Sequence, residues 1–187
     1  MKLAIAHLGS VSYAIFGRYY TREIPKLDKE QPDAYEERTW RNKLHTTKDG
    51  FVMIPPLMLK NCTCIGAKRC NMKIPGQRNA TYTKNFLSGI LCLDPIVLPI
   101  HKDDVQRLDL PVPSNGVKGG GTRVWKIFPI IPEWGGEATF HILDEIITED
   151  VFRYVIEQSG AFVGIGSMRV GNGGIAGRFK LNKLEWA

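Results

Sequence analysis

The chain has 187 residues, 43% of them hydrophobic, and a formal net charge of +6. That length and apolar content suit a single domain with insertions and exclude an intrinsically disordered chain. No apolar run reaches the roughly 20 residues of a spanning helix, and "MKLAIAHLGS" lacks the apolar length of a secretory signal, so a cytoplasmic protein is expected.

In chain order, "KLAIAHL" (2–8) alternates loosely and reads as a strand. A mixed-charge region follows, with a hairpin signal at Asp49-Gly50 in "HTTKDGFVMI". Pro55-Pro56 opens a helix over 56–72, since proline is tolerated in a first helical turn. At 100° per residue, Met58, Leu59, Cys62, Ile65, Gly66, Cys70 and Met72 share an apolar face. Arg69 falls inside that face, either snorkelling from the last turn or facing a ligand. "KIPGQRNATYTKNF" reads as an exposed basic loop and "LSGILCLDPIVL" as a strand or strand pair, while "KDDVQRLDLPVPSNGVKGGG" reads as a loop. "TRVWKIFPII" and "EATFHILDE" are expected to form a hairpin across "PEWGG". "TEDVFRYVIEQSG" is a helix capped by Thr148, with Glu149 and Asp150 in its first turn and Gly160 as its stop. "GRFKLNKLEW" is the last strand.

The principal elements therefore run β (2–8), α (56–72), β (122–131), β (136–144), α (148–159), β (177–186). This predicts an α+β chain with a ferredoxin-like βαββαβ (RRM-like) core of four antiparallel strands, interrupted by insertions at about 10–54 and 74–120.

Charge is distributed unevenly. Lys60, Lys68, Arg69, Lys73, Arg78 and Lys84 occur without one acid between residues 60 and 84. Arg169, Arg178, Lys180 and Lys183 do the same between 160 and 183. Two one-sign stretches far apart in sequence predict a basic surface assembled by folding, the footprint of a polyanion. The bland alternative is a solvated surface that happens to be basic. The second stretch contains "VGIGSMRVGNGGIAGRF" (163–179), in which six of seventeen residues are glycine.

The run "IPPLMLKNCTCIGAKR" opening the first helix and the terminal "GIGSMRVGNGGIAGRF" resemble the RAMP superfamily, the RNA-binding proteins of CRISPR systems, and in particular its backbone subunits. Ile54, Pro55 and Lys60 match the family's helix-start pattern, whereas Pro56, Leu57 and Asn61 stand where the family tends to have glycine, serine and glycine. The layout "RTWR…IPP…IPG…ATYTK…RVWK" also resembles uncharacterised phage and prophage proteins. The resemblance implies nucleic-acid binding, with a homo-oligomer or CRISPR effector subunits as partners.

The residue chemistry leads to a related expectation on its own. A single strand is held by cations along its phosphates and by platforms for its bases. Lys60, Lys68, Arg78, Lys84, Arg169 and Arg178 are the candidate phosphate ligands, with glycines allowing close backbone approach. Tyr82 and Phe86 flank Lys84 as a candidate stacking loop, and Arg123 and Lys126 flank Trp125, itself read first as a core residue. No cofactor or metal site is implied: "GIGSMRVG" lacks the following helix of a dinucleotide fingerprint, "VKGGGTR" is no P-loop, and the cysteines read as reduced, largely buried thiols.

The leading reading is a sequence-tolerant binder of single-stranded RNA or DNA that oligomerises along the strand and is not an enzyme. One alternative is a protein-interaction module that mimics or inhibits a CRISPR complex. The other is a metal-independent ribonuclease using His45, or Asp28 and Asp33.

Overall fold

The computed structural model describes residues 1–114 and 121–187. Its elements are β1 (Lys2–Ser10), β2 (Ala14–Ile15), α1 (Pro32–Thr39), β3 (Phe51–Ile54), α2 (Pro56–Cys70), α3 (Thr83–Gly89), β4 (Ile90–Cys92), β5 (Ile96–His101), β6 (Gln106–Pro113), β7 (Arg123–Ile131), β8 (Gly135–Ile142), α4 (Glu149–Phe162) and β9 (Phe179–Trp186). The fold is α+β with antiparallel sheets. Residues 115–120, the end of the expected 74–120 insertion and the glycines of "VKGGGTR" up to Gly120, lie outside the described residues.

The largest sheet has the order β4-β8-β1-β9. The chain contributes to it as β1, then β4 and β8 after α2, then β9 after α4. The strand expected at 122–131 is not part of it. β7 and β8 do not pair with one another; β7 joins a second sheet of order β2-β7-β6, and a third pair joins β3 to β5. The expected "PEWGG" hairpin is instead a crossing between sheets. Its Trp134 is tied to the end of β1, the backbone N–H donating to Ser10 Oγ (3.1 Å) and the indole N–H to the Ser12 carbonyl (3.1 Å). β4 lies in "LSGILCLDPIVL", expected as a strand or strand pair but within an insertion; it is only three residues long, so the longer alternation of β7 drew the place in the core order.

The 74–120 stretch is thus more than an insertion, since it supplies β4 to the main sheet. The expected loop after residue 101 contains β6, which pairs with β7 from Gln106↔Ile130 to Pro113↔Arg123. β6 contains Pro111 and Pro113, which lack a backbone N–H. Ser114 N–H donates to the Thr122 carbonyl (2.8 Å), so alternation turns the nitrogens of residues 111 and 113 outward on an edge strand, where no donor is needed. The outer half of the β6–β7 ribbon has no buried residue.

α2 and α4 pack together, α4 against β9 and α2 against β4. Between helices and sheet lie Ala4, Ala6, Leu8, Ala138, Phe140, Ile142, Ile90 and Cys92, all buried. Phe152 of α4 meets Phe140 edge-on at 5.2 Å and Phe86 of α3 face-on at 6.2 Å. The buried face of α2 comprises Leu59, Cys62, Thr63, Gly66 and Ala67; Ile65, expected inside, is 40% exposed. Thr63 is accommodated because its hydroxyl donates to the Leu59 carbonyl (2.9 Å). α4 is capped by Thr148 as expected but runs past Gly160 to Phe162. Gly160 serves as a crossing point with β9, since a Cβ there would lie 2.1 Å from the Phe179 carbonyl oxygen.

Gly66 has the corresponding role between the helices, as an added Cβ would lie 1.9 Å from Ser159 Oγ and 3.2 Å from Ser159 Cα. Gly66→Ala is therefore expected to lower stability by about 1–3 kcal/mol despite its better helix propensity, read as a lower urea midpoint. Gly66→Ala combined with Ser159→Ala should recover part of that loss.

Beside β7, a buried charge cluster closes the strand's free edge. Lys43 donates to the carboxylate of Glu36 and to the Ile127 carbonyl (2.6 Å), and the Ile127 N–H donates to Glu36 Oε1 (2.9 Å). Glu36 and Lys43 are only 4% and 8% exposed. Burial raises the Glu36 pKa, but hydrogen bonds from Lys43, the Ile127 amide and Lys126 outweigh it and hold it below the usual 4.5. Burial lowers that of Lys43, opposed by the bond to Glu36.

Candidate nucleic-acid interface

Folding separates the cations into two populations. Arg18, Arg38, Lys43, Arg107, Lys126, Arg153 and Lys183 each face a carboxylate within 4 Å. Lys60, Lys68, Arg69, Lys73, Arg78, Lys84, Arg178 and Lys180 have no such partner among the described residues, and neither do Lys2, Arg22, Lys26, Lys29, Arg41, Lys48, Lys102, Arg123 and Arg169, which are scattered along the chain. The unpaired group includes every cation of the acid-free 60–84 stretch. A field that its own fold leaves uncompensated is available to an external anion.

Local structure displays this stretch outward. Lys68 and Arg69 occupy the last turn of α2, where cations also complement the carbonyl end of the helix. Asn71, in the left-handed region at φ 49°, ends the helix. The following chain closes on itself: Ile74 N–H donates to the Ala80 carbonyl (2.9 Å), and Tyr82 N–H to that of Met72 (3.1 Å). Lys73 and Arg78 stand exposed on this closed loop, with Lys84 exposed just beyond it in α3. Lys60 is less free, since its ammonium donates to the Leu87 carbonyl (3.0 Å) and ties α2 to α3.

Three expectations are corrected. Tyr82 is 5% exposed and Phe86 0%, so neither offers a ring to a base; both pack under α3. Trp125, read as core, is instead 64% exposed on the β6–β7 ribbon. Lys126 does not stand beside it as a free cation, because its ammonium is held by Glu36 at 3.1 Å. The alternation of β7 puts Arg123 on the same face as Trp125, exposed and donating to the Pro111 carbonyl (3.3 Å).

The glycine-rich segment is a backbone knot rather than a pliant loop. Ser167 N–H donates to Ile15 (2.7 Å), Gly177 N–H to Tyr13 (2.8 Å) and Ile165 N–H to Gly177 (3.0 Å), locking the segment to β2 and to itself. Its glycines exist for these approaches more than for a phosphate. At Gly177, φ is +75° and a Cβ would sit 1.9 Å from the Ile165 oxygen. Only at Gly173 is the space around such a Cβ open. Arg169 is half-buried, and its Nε is buried without a hydrogen-bond partner among the described residues. Its charge opposes, without overcoming, the burial that pushes the Cys62 thiol up to about 12.

Arg178 remains exposed, and it connects the two basic stretches. It lines a groove of about 470 Å³ with Lys180, Val11, Leu181, Glu157 and Phe162. Phe162 is 44% exposed, and the Arg69 guanidinium lies 5.1 Å from its ring centroid. Arg69 thus covers the aromatic at the end of α4, which explains why a cation falls within the apolar arc of α2. Phe162, Lys180 and Arg69 belong to this constellation although the sequence reading did not select them as site residues. The available signal was Arg69's violation of the helical pattern.

The open face of the main sheet offers a different surface. Its alternate positions hold Leu3, Ile5, His7, Glu137, Thr139, His141, Leu91 and Glu185, with no phenylalanine, tyrosine or tryptophan. His7 is 3.1 Å from Glu185 and 3.5 Å from Glu137. This face lacks the large rings with which an RRM sheet stacks bases. The candidate acid-base groups are also dispersed. His45 is half-buried and edge-on to Phe16, its pKa lowered by burial and by Arg18, while Asp28 and Asp33 are exposed.

No protein-family model matches the chain, and no curated protein matches it. Among solved structures, the chain is similar to one in a cryo-EM structure of the type III-B Cmr-β complex bound to cognate target RNA. The TM-score is 0.50 at 12% sequence identity, over 99% of this chain and 60% of that one. This chain therefore spans less than two thirds of the length of that chain, and the similarity is one of fold.

Proposed function

We propose that the chain is a RAMP-like protein with a ferredoxin-like core that binds single-stranded nucleic acid without turning it over, oligomerising along the strand and able to join CRISPR effector subunits. The observation that carries this reading is the clustering of uncompensated cations: residues 60–84 contain six cations and no acid, and none of the six, nor Arg178 or Lys180, has a carboxylate within 4 Å among the described residues. The sheet order β9-β1-β8-β4, with α2 and α4 as its two helices, supports the ferredoxin-like assignment. The neighbour's complex contains RNA, which favours RNA as the strand.

Lys68, Arg69, Arg78, Lys84, Arg178 and Lys180 follow the phosphates in this reading, while Phe162, beside Arg69, and Trp125, beside Arg123, are exposed rings that can meet bases. Filter binding to single-stranded RNA at rising salt tests it. Each phosphate contact contributes about −0.7 to the slope of log affinity against log salt. Arg69→Ala with Arg178→Ala should weaken binding about tenfold or more and make the slope shallower by about 1.4, with the thermal midpoint little changed. Wild-type protein that retains no strand on the filter at about 50 mM salt would refute the reading.

A further inference from the structure

A second concavity, remote in sequence from the basic stretches, lies where the segment after β2 meets α1 and β7. Its volume is about 310 Å³, at the small end of ligand sites. The walls are aromatic. Tyr20 and Tyr35 stack with centroids 6.3 Å apart, and Phe128 carries the Lys43 ammonium 4.6 Å from its centroid. Both buried tyrosines spend their hydroxyls inward, Tyr20 on Thr39 Oγ1 (2.8 Å) and Tyr35 on the Ile24 carbonyl (2.6 Å). What they present to the concavity is therefore ring surface. Tyr19 stands at the rim and is 71% exposed, more than any other aromatic among the described residues.

The polar lining is cationic. Lys43 and Lys126 share the single carboxylate of Glu36, which leaves the wall with a positive excess, while Arg18 is paired with Glu23 outside it. The Lys126 side chain is 40% exposed, so its ammonium can reach a ligand while staying near Glu36. Rings fit a planar aromatic body, and an accessible ammonium beside a buried one fits an anion attached to it. A quaternary ammonium, the other usual occupant of an aromatic cage, is disfavoured because Lys43 already supplies the cation.

We propose that this concavity binds a nucleoside monophosphate unit, its base against Tyr19 and Phe128 and its phosphate at Lys126. Such a unit comes either from a free nucleotide or from a nucleotide turned out of a bound strand, and the chemistry of recognition is the same.

Isothermal titration of the full chain with adenosine 5′-monophosphate, adenosine and inorganic phosphate is the test. The expected result is saturable binding of the monophosphate, about tenfold or more tighter than either fragment. Tyr19→Ala, at an exposed position, and Lys126→Ala should each weaken it at least about threefold, and Lys126→Arg should recover part of the loss. No saturable binding up to about 5 mM, or binding that neither substitution alters, overturns the proposal. If Lys126→Ala proves poorly folded by circular dichroism, the Tyr19→Ala titration decides alone. In wild-type protein that binds the monophosphate, displacement by single-stranded RNA assigns the site to a strand nucleotide, and simultaneous binding assigns it to a free one.

Discussion

Replacing Gly177 by alanine should lower the stability of this protein by about 3 kcal/mol or more, whereas the same change at Gly173 should cost about 1 kcal/mol. Both residues have strongly positive φ, +75° and +80°, so an alanine side chain is strained at either. They differ in what surrounds the new Cβ. At Gly177 it would meet the Ile165 oxygen at 1.9 Å and the Ile165 nitrogen at 2.7 Å, backbone atoms that cannot rotate away. At Gly173 nothing lies within 4 Å. Urea unfolding of the two variants measures the difference. Equal costs would mean that the segment is pliant and that its hydrogen bonds to β2 contribute little. A large difference would make the knot a rigid scaffold that positions Arg178 at the groove.

The second large effect is expected at Glu36. Glu36→Ala removes the only carboxylate within 4 Å of Lys43 among the described residues and strips Ile127 N–H of its acceptor, leaving a buried charge and a buried donor unpaired. A cost of about 3–5 kcal/mol follows. Replacing both partners, as in Glu36→Leu with Lys43→Met, should cost less than Glu36→Ala alone, because the lone buried charge is gone. The same pair sets an acid limit. With its folded pKa below 4.5, ionised Glu36 contributes its full stabilisation above that pH and loses it as pH falls through the folded value. The stability of the wild type should therefore drop below about pH 4.5 with a component missing from Glu36→Gln, measured by urea titrations at pH 3 to 7. Identical pH profiles would remove Glu36 from the account.

These two sites show why some features were legible in the chain and others were not. The 3.6-residue period of α2 and α4, the Thr148 cap and the alternation of β1, β7, β8 and β9 are local properties, and the helices and strands formed close to where those patterns lie. Partner choice among strands is not local. β7 carries the same alternation whether it pairs with β8 or with β6, and the selection depends on β6, whose outward prolines look like breakers in sequence. β4 is three residues long and exists as a strand only because β8 offers it an edge.

The candidate interface divides in the same way. Composition alone established that two stretches are basic and acid-free, because charge is a sum over residues. Whether a cation is free depends on which carboxylate folding brings within 4 Å. Lys126 and Arg123, three residues apart, could be separated only when Glu36, ninety residues upstream, closed on one of them. Aromatic rings followed the same rule: Tyr82 is the expected stacking ring and Trp125 the expected core residue, yet α3 buries the first and the free ribbon exposes the second. The glycine-rich segment announced itself as unusual, but the reason was tertiary, since its glycines are fitted to Ile165, Met168 and Ile15 rather than to open solvent. The sequence by itself determined the long helices and strands and the sign of the surface. The tertiary structure decided which charges remain unpaired, because pairing is set by distance through space.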